Sequence, residues 1–161
     1  PEFAVEILKR CREENIHTVL DTTAYCRPKI FESVAEYIDL AYVDMKAIDN
    51  EIHRKYTGVD NTWILHNFRY LDDNKIPFAV RMPIIPGYND SEELIDRTIS
   101  FLKELRTEFM VCLLPFHAYG KSKYERIGWK WPMGELPNME RHELEPMYEK
   151  FKKAGLHVMI Q

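Results

Sequence analysis

Four places along the chain hold side chains with chemical capacity, and each lies in or just after a short apolar run. Asp21-Thr22 follow His17-Thr18-Val19-Leu20, Asp44 and Lys46 follow Leu40-Ala41-Tyr42-Val43, Arg81 sits inside residues 77–85, and His117 comes after residues 109–114. Two carboxylates beside a lysine and an arginine suit a zwitterion, or an anionic ligand together with a bound cation. Arg81 is the most telling of them. It stands among Phe78, Ala79, Val80, Met82, Ile84 and Ile85, where an unpaired charge is costly. Taken singly, the others have plainer readings: Asp21-Thr22 as a strand-end turn and helix cap, Lys46 as a solvated surface residue, His117 as a loop histidine satisfied by backbone. Delivered to one rim, the set becomes a candidate site.

Delivery depends on the elements. Ala4, Ile7, Leu8 and Cys11 recur at helical spacing, as do Phe31, Val34, Ala35 and Ile38, and again Ile64, Leu65, Phe68 and Leu71. Asn61 is expected to cap the third of these helices, and Asp90 with Glu93 to form a capping box for a fourth that runs to about Arg106. Between them fall four near-continuous apolar strands, which predicts parallel βαβ units buried on both faces. Leu144, Met147, Tyr148 and Phe151 mark a last helix, closed by Gly155 and followed by a strand over His157–Ile160. Residues 118–137 break the periodicity and read as a long aromatic-rich loop. No glycine-rich phosphate loop follows any strand, which weighs against a nucleotide-binding doubly wound sheet. The expected class is therefore α/β, an incomplete (partial) TIM-type (β/α) barrel in one domain over 1–161. In parallel α/β folds the carboxyl ends of the strands meet at one rim, so the polar residues are expected to converge there.

Composition narrows the partners. A net charge of −4 gives no electrostatic reason to expect nucleic acid, even though Lys121, Lys123, Arg126 and Lys130 interleave with Tyr124, Trp129 and Trp131. No apolar run reaches the roughly 18 residues of a membrane span, and no signal peptide is expected. Cys11, Cys26 and Cys112 are too scattered for a disulfide framework or a close-spaced metal motif, and they fit a reducing cytoplasm. The chain opens without methionine inside a helical pattern, which predicts an upstream region.

Four segments, VLDTTAY (19–25), YVDMKAIDNEIHRKYTGVDN (42–61), VRMPIIPGYND (80–90) and LLPFHAYGKSKYERIG (113–128), resemble the activating enzymes of glycyl radical enzymes, the pyruvate formate-lyase activase family. The last is the most specific, a strand ending in Pro-aromatic-His followed by Gly120, Lys123-Tyr124 and Gly128. The resemblance implies strands 3–6 of a radical SAM (β/α)6 barrel that holds a 4Fe-4S cluster and S-adenosylmethionine. It implies reductive cleavage of that cofactor to a 5′-deoxyadenosyl radical, which removes hydrogen from a backbone glycine of a partner enzyme. Reduced flavodoxin or ferredoxin is the implied electron donor. Carried over by position, Asp21, Thr22 and Asp44 match binders of a monovalent cation beside the cofactor's carboxylate. Lys46, Arg81 and His117, with Asp44, match residues contacting the cofactor itself. The 118–137 loop takes either a place on the rim facing the partner protein or a packing role over the barrel.

The family's C-x-x-x-C-x-x-C cluster loop and its Gly-Gly-Glu-Pro turn do not occur in this sequence. A cluster needs three close thiolates, so the chain as it stands is expected to be inactive. Another radical SAM subclass, a cluster-free binding module and a metal-dependent aldolase or isomerase barrel remain the competing readings.

Overall fold

The computed structural model describes Pro1–Gln161 throughout. In chain order it holds α1 (Glu2–Glu13), β1 (Val19–Thr22), α2 (Pro28–Ala35), β2 (Leu40–Asp44), α3 (Asn50–Thr57), α4 (Thr62–Asp73) and β3 (Phe78–Ile84). Then follow α5 (Glu92–Leu102), β4 (Met110–Pro115), α6 (Lys121–Arg126), α7 (Glu145–Lys153) and β5 (His157–Ile160). No helix is long and apolar enough to cross a membrane.

The strands form one sheet in the order β1-β2-β3-β4-β5, every neighbouring pair parallel. Parallel neighbours joined by right-handed crossovers in unbroken order carry their helices to the same side. That is the winding of a barrel segment, and the expected partial TIM-type barrel is what the chain forms. β1 and β5 are edges, so the sheet is open.

The expected burial on both faces holds only in part: β3 is largely covered on both, whereas Tyr42 of β2 and Met110 of β4 are exposed on one. Val43, Val80, Val111, Ile84, Leu113 and Ile160 are buried under Phe68, Leu71, Phe101, Leu102 and Phe151 of the helices. Phe68 meets Phe78 and Phe101 edge-on at 6.0 and 6.2 Å, a geometry aromatic pairs favour. The opposite, concave face carries Asp21, Tyr42, Asp44, Arg81, Cys112 and Met159, since side chains alternate along a strand. With α2, α4, α5 and α7 packed on the other side, this face stays partly open: Tyr42, Met110 and Met159 are exposed.

Several local expectations are corrected. The sequence pattern gave no helix between β2 and α4, yet α3 forms. Asp49 caps it by accepting from Ile52 N at 3.0 Å, and Gly58 at φ +83° closes it. Asn61 does not cap α4 with its side chain, because its amide is spent elsewhere. Ser91, rather than Asp90, caps α5 by accepting from Leu94 N. Asp90 instead accepts from Gly87 N in the preceding turn. Residues 118–137 are not loop throughout: a 3-10 turn over Ala118–Gly120 leads into α6. The final strand falls where it was expected and pairs with β4.

Candidate functional site

Arg81 and Asp44 are register partners on β3 and β2 and point to the concave face. Arg81 is interior to β3 rather than at its end, so its long side chain lies over the sheet surface towards β1. Its Nε and Nη2 donate to Asp44 Oδ1 at 3.0 and 2.9 Å. Its Nη1 and Nη2 donate to the two carboxylate oxygens of Asp21 at 2.9 and 2.6 Å, a two-pronged pairing only a guanidinium can make. The guanidinium carbon lies 5.9 Å from the centroid of the Tyr42 ring on β2, the strand that the side chain crosses to reach Asp21. Lys46 Nζ donates to the other Asp44 oxygen at 2.8 Å.

Four of the expected residues, from three strands, therefore form one cluster of two cations and two anions. Burial by itself lowers the Arg81 pKa. The hydrogen bonds and charge of Asp44, then of Asp21, outweigh it and hold the group above its ordinary value. Asp44 is nearly covered while Asp21 is mostly exposed, with 15% and 59% of their side chains accessible. The Asp44 bonds are thus the stronger half of the network. A ligand carrying both a carboxylate and an ammonium can exchange partners with this set, anion to Arg81 or Lys46 and cation to Asp44 or Asp21, without leaving a charge unpaired.

The remaining two expected residues are placed differently. Thr22 follows Asp21 in the strand and so turns to the opposite face, where its hydroxyl accepts from Ala24 N at 3.0 Å. It can offer the concave face no side-chain oxygen. His117 makes no bond to the cluster. It stacks on Tyr119 at 4.3 Å and lines a separate pocket with Leu114, Asn138 and Gln161.

Beside the cluster opens a cleft of about 450 Å³ between α3, the exit of β3 and residues of the 118–137 segment. Lys46, His53, Tyr56, Pro83, Tyr88 and Asn89 line it, and the Tyr56 and Tyr88 rings lie 4.4 Å apart. His53 is almost wholly buried. Its Nδ1 is 2.8 Å from the Val59 carbonyl, which can only accept, so Nδ1 is the donor of that bond. Sequence reasoning missed His53; its i, i+4 spacing to Thr57 just ahead of Gly58 was the available signal.

Two buried asparagines were missed as well. Asn89 donates to the carbonyls of Lys46 and Pro83, and accepts from Ile85 N. Asn61 donates to the carbonyls of Ala47 and Ile48. Three consecutive carbonyls after β2 are thereby tied down, and they hold Lys46 in place.

The thiols do not assemble. Cys11 is on α1, Cys26 follows β1 and Cys112 is in β4, and no group of three or more His, Cys, Asp or Glu side chains is arranged to hold a metal ion. An iron–sulfur cluster does not fit the residues of this chain.

Against known proteins, residues 1–99 match the radical SAM superfamily. The chain is 32% identical over 163 residues to the choline trimethylamine-lyase activating enzyme of Oleidesulfovibrio alaskensis, covering 99% of this chain and 53% of that protein. It is 35% identical over 157 residues to the 4-hydroxyphenylacetate decarboxylase activating enzyme of Clostridioides difficile, covering 96% and 49%. The chain thus spans about half the length of the curated relatives it matches. Among solved structures, a domain of pyruvate-formate lyase-activating enzyme from Bacteroides vulgatus superposes with a TM-score of 0.82 at 28% identity, over 100% of this chain and 91% of that one. An open parallel sheet wound in one direction, with a charged cluster on its concave face and a superfamily match over more than half its residues, places the chain in the radical SAM superfamily.

Proposed function

We propose that the full-length protein activates a glycyl radical enzyme, and that residues 1–161 supply one partial-barrel domain of it, including part of its S-adenosylmethionine site. One observation carries this reading: Arg81 joins Asp21 and Asp44 from neighbouring strands, with Lys46 beside them, into a charge-balanced cluster matched to an amino-acid zwitterion. The similarity to activating enzymes supports the reaction class. When bound and reduced by one electron through a cluster held outside these residues, S-adenosylmethionine supplies methionine and a carbon radical that takes one hydrogen atom from a glycine.

This chain's own part is binding and orientation. Arg81 and Lys46 receive the carboxylate of the cofactor's methionine portion, and Asp44 and Asp21 face its positive groups. His117 contacts the cofactor from its own pocket across the strand ends. A monovalent cation beside the carboxylate would take Asp21 and Asp44 as ligands once Arg81 turns to the cofactor, with Thr22 offering only its backbone carbonyl. The partner is a glycyl radical enzyme, the electron donor a reduced flavodoxin or ferredoxin, and the setting the cytoplasm.

The test is to reconstitute the full-length protein anaerobically with iron and sulfide, and to supply S-adenosylmethionine, reductant and three purified candidates: pyruvate formate-lyase, choline trimethylamine-lyase and 4-hydroxyphenylacetate decarboxylase. A glycyl radical signal on one of them by electron paramagnetic resonance is expected. Cofactor cleavage with no radical on any protein would point to another radical SAM subclass, and no cofactor binding at all would leave only a binding module.

A further inference from the structure

The surface just past β4 runs against the charge of the rest of the molecule. Over residues 121–130, Lys121, Lys123, Arg126 and Lys130 face a single acid, Glu125, in a chain whose net charge is −4. Lys121 reaches Glu135 at 3.6 Å. Lys123, Arg126 and Lys130 are exposed and make no ion pair, so three unneutralised cations stand within eight residues. Among these unpaired charges stand three large apolar side chains with most of their surface in solvent: Tyr119 at 75%, Trp129 at 66% and Ile127 at 59%.

This surface is built, not loose. Gly128, at φ +70°, ends α6, and Trp129 N bonds back to the Tyr124 carbonyl at 2.9 Å. Tyr124 packs edge-on against both Trp129 and Trp131, at 6.2 and 5.2 Å, and the Trp131 ring closes over Gly120, where an added Cβ would come within 3.4 Å. Ordered aromatics among unneutralised cations are the makings of a protein-docking surface, where the rings give contact area and the charges give steering. Its position agrees, because Tyr124 also lines the cleft that Lys46 enters. A chain seated on this surface is led to the mouth of the site.

Resting on the activating-enzyme reading, we propose that the surface spanning Tyr119, Lys123, Arg126, Ile127, Trp129 and Lys130 docks an acidic, apolar-studded polypeptide stretch of the glycyl radical enzyme. The cations meet its carboxylates and Trp129 and Ile127 meet its apolar side chains.

The experiment compares the full-length protein with a Lys123→Glu, Arg126→Glu, Lys130→Glu triple variant and with Trp129→Ala. The probes are the same three glycyl radical enzymes and a single-stranded RNA oligonucleotide. Affinity is read by biolayer interferometry at low and high salt, and melting temperature and cofactor cleavage without partner are read as controls. For the enzyme that binds, the triple variant is expected to lose about tenfold or more in affinity, and parental binding to weaken as salt rises. Cleavage without partner and melting should stay unchanged. Trp129→Ala should weaken binding with little change in its salt dependence. Unchanged affinity in the triple variant overturns the proposal, as does binding of the RNA alone or of none of the probes. Cofactor cleavage separates the two failures: if it persists while docking is unaffected, only the surface assignment falls, and if it is absent from the parental protein, the activating-enzyme reading falls first.

Discussion

The side-chain amide of Asn89 donates to the backbone carbonyl of Lys46 at 2.8 Å, joining the turn after β3 to the exit of β2. The same amide nitrogen donates to Pro83 O at 2.7 Å, and Asn89 Oδ1 accepts from Ile85 N at 2.8 Å. Lys46, whose ammonium completes the charged cluster, is thus aimed by a residue 43 positions away.

Asn89→Ala would orphan two carbonyls and one N–H, each costing about 1–3 kcal/mol when buried. A loss of about 2–4 kcal/mol in urea unfolding of the full-length protein is expected. Asn89→Asp keeps the acceptor and loses both donors, so it should fall close to the alanine variant. If it matched the parental stability, the two carbonyl bonds would contribute nothing.

Arg81→Ala should weaken S-adenosylmethionine binding by tenfold or more in calorimetry of the reconstituted protein, with the fold retained. Arg81→Lys should recover little, since a lysine cannot present the forked pair of donors to the cofactor's carboxylate. His117→Ala is expected to weaken binding less, because its ring stands against Tyr119 and outside the cluster. Equal losses would mean that His117 joins the cluster when the cofactor binds.

Asp72 is an acid-sensitive tie. Its side chain is 4% accessible and accepts from Arg106 N, Thr107 N and the Thr107 hydroxyl, at 2.8, 2.7 and 2.8 Å. Burial pushes its pKa up, but the bonds from Thr107 and Arg106 outweigh this and hold it below the ordinary aspartate value of 3.8. A lowered folded-state pKa means that its stabilisation is intact above the unfolded value and is lost as pH falls through the folded one. Stability measured from pH 6 down to about pH 3 should therefore decline less steeply in Asp72→Asn, from a lower start. Parallel curves would remove Asp72 from the acid response.

Cys112 lies on the concave face as the register partner of Arg81. Burial raises its pKa, and the nearby Arg81 charge reverses only part of the shift. The thiolate is the reactive form, so iodoacetamide at neutral pH should modify Cys112 far more slowly than free glutathione, as followed by mass spectrometry. Comparable rates would mean an open, ionised thiol.

What the sequence determined by itself was the winding and the identity of the charged set. Helical spacing around Phe31, Phe68 and Phe151, broken by apolar runs such as Leu40–Val43, encodes parallel βαβ units, because those periods bury only in that arrangement. An arginine in the middle of an apolar strand announced that partners must exist. Only the tertiary structure decided which they were. Asp21 is 60 residues from Arg81, and only pairing through β2 brings them to 2.6 Å. Strand alternation, counted from the real register, turned Thr22 away from Asp21. The chain's turn just past β4 stacked His117 on Tyr119 in a pocket of its own. Asn61 and Asn89 read locally as cap and turn residues. Their amides were instead claimed by distant carbonyls that the packed sheet had removed from water, and satisfying those groups outweighed the local preference.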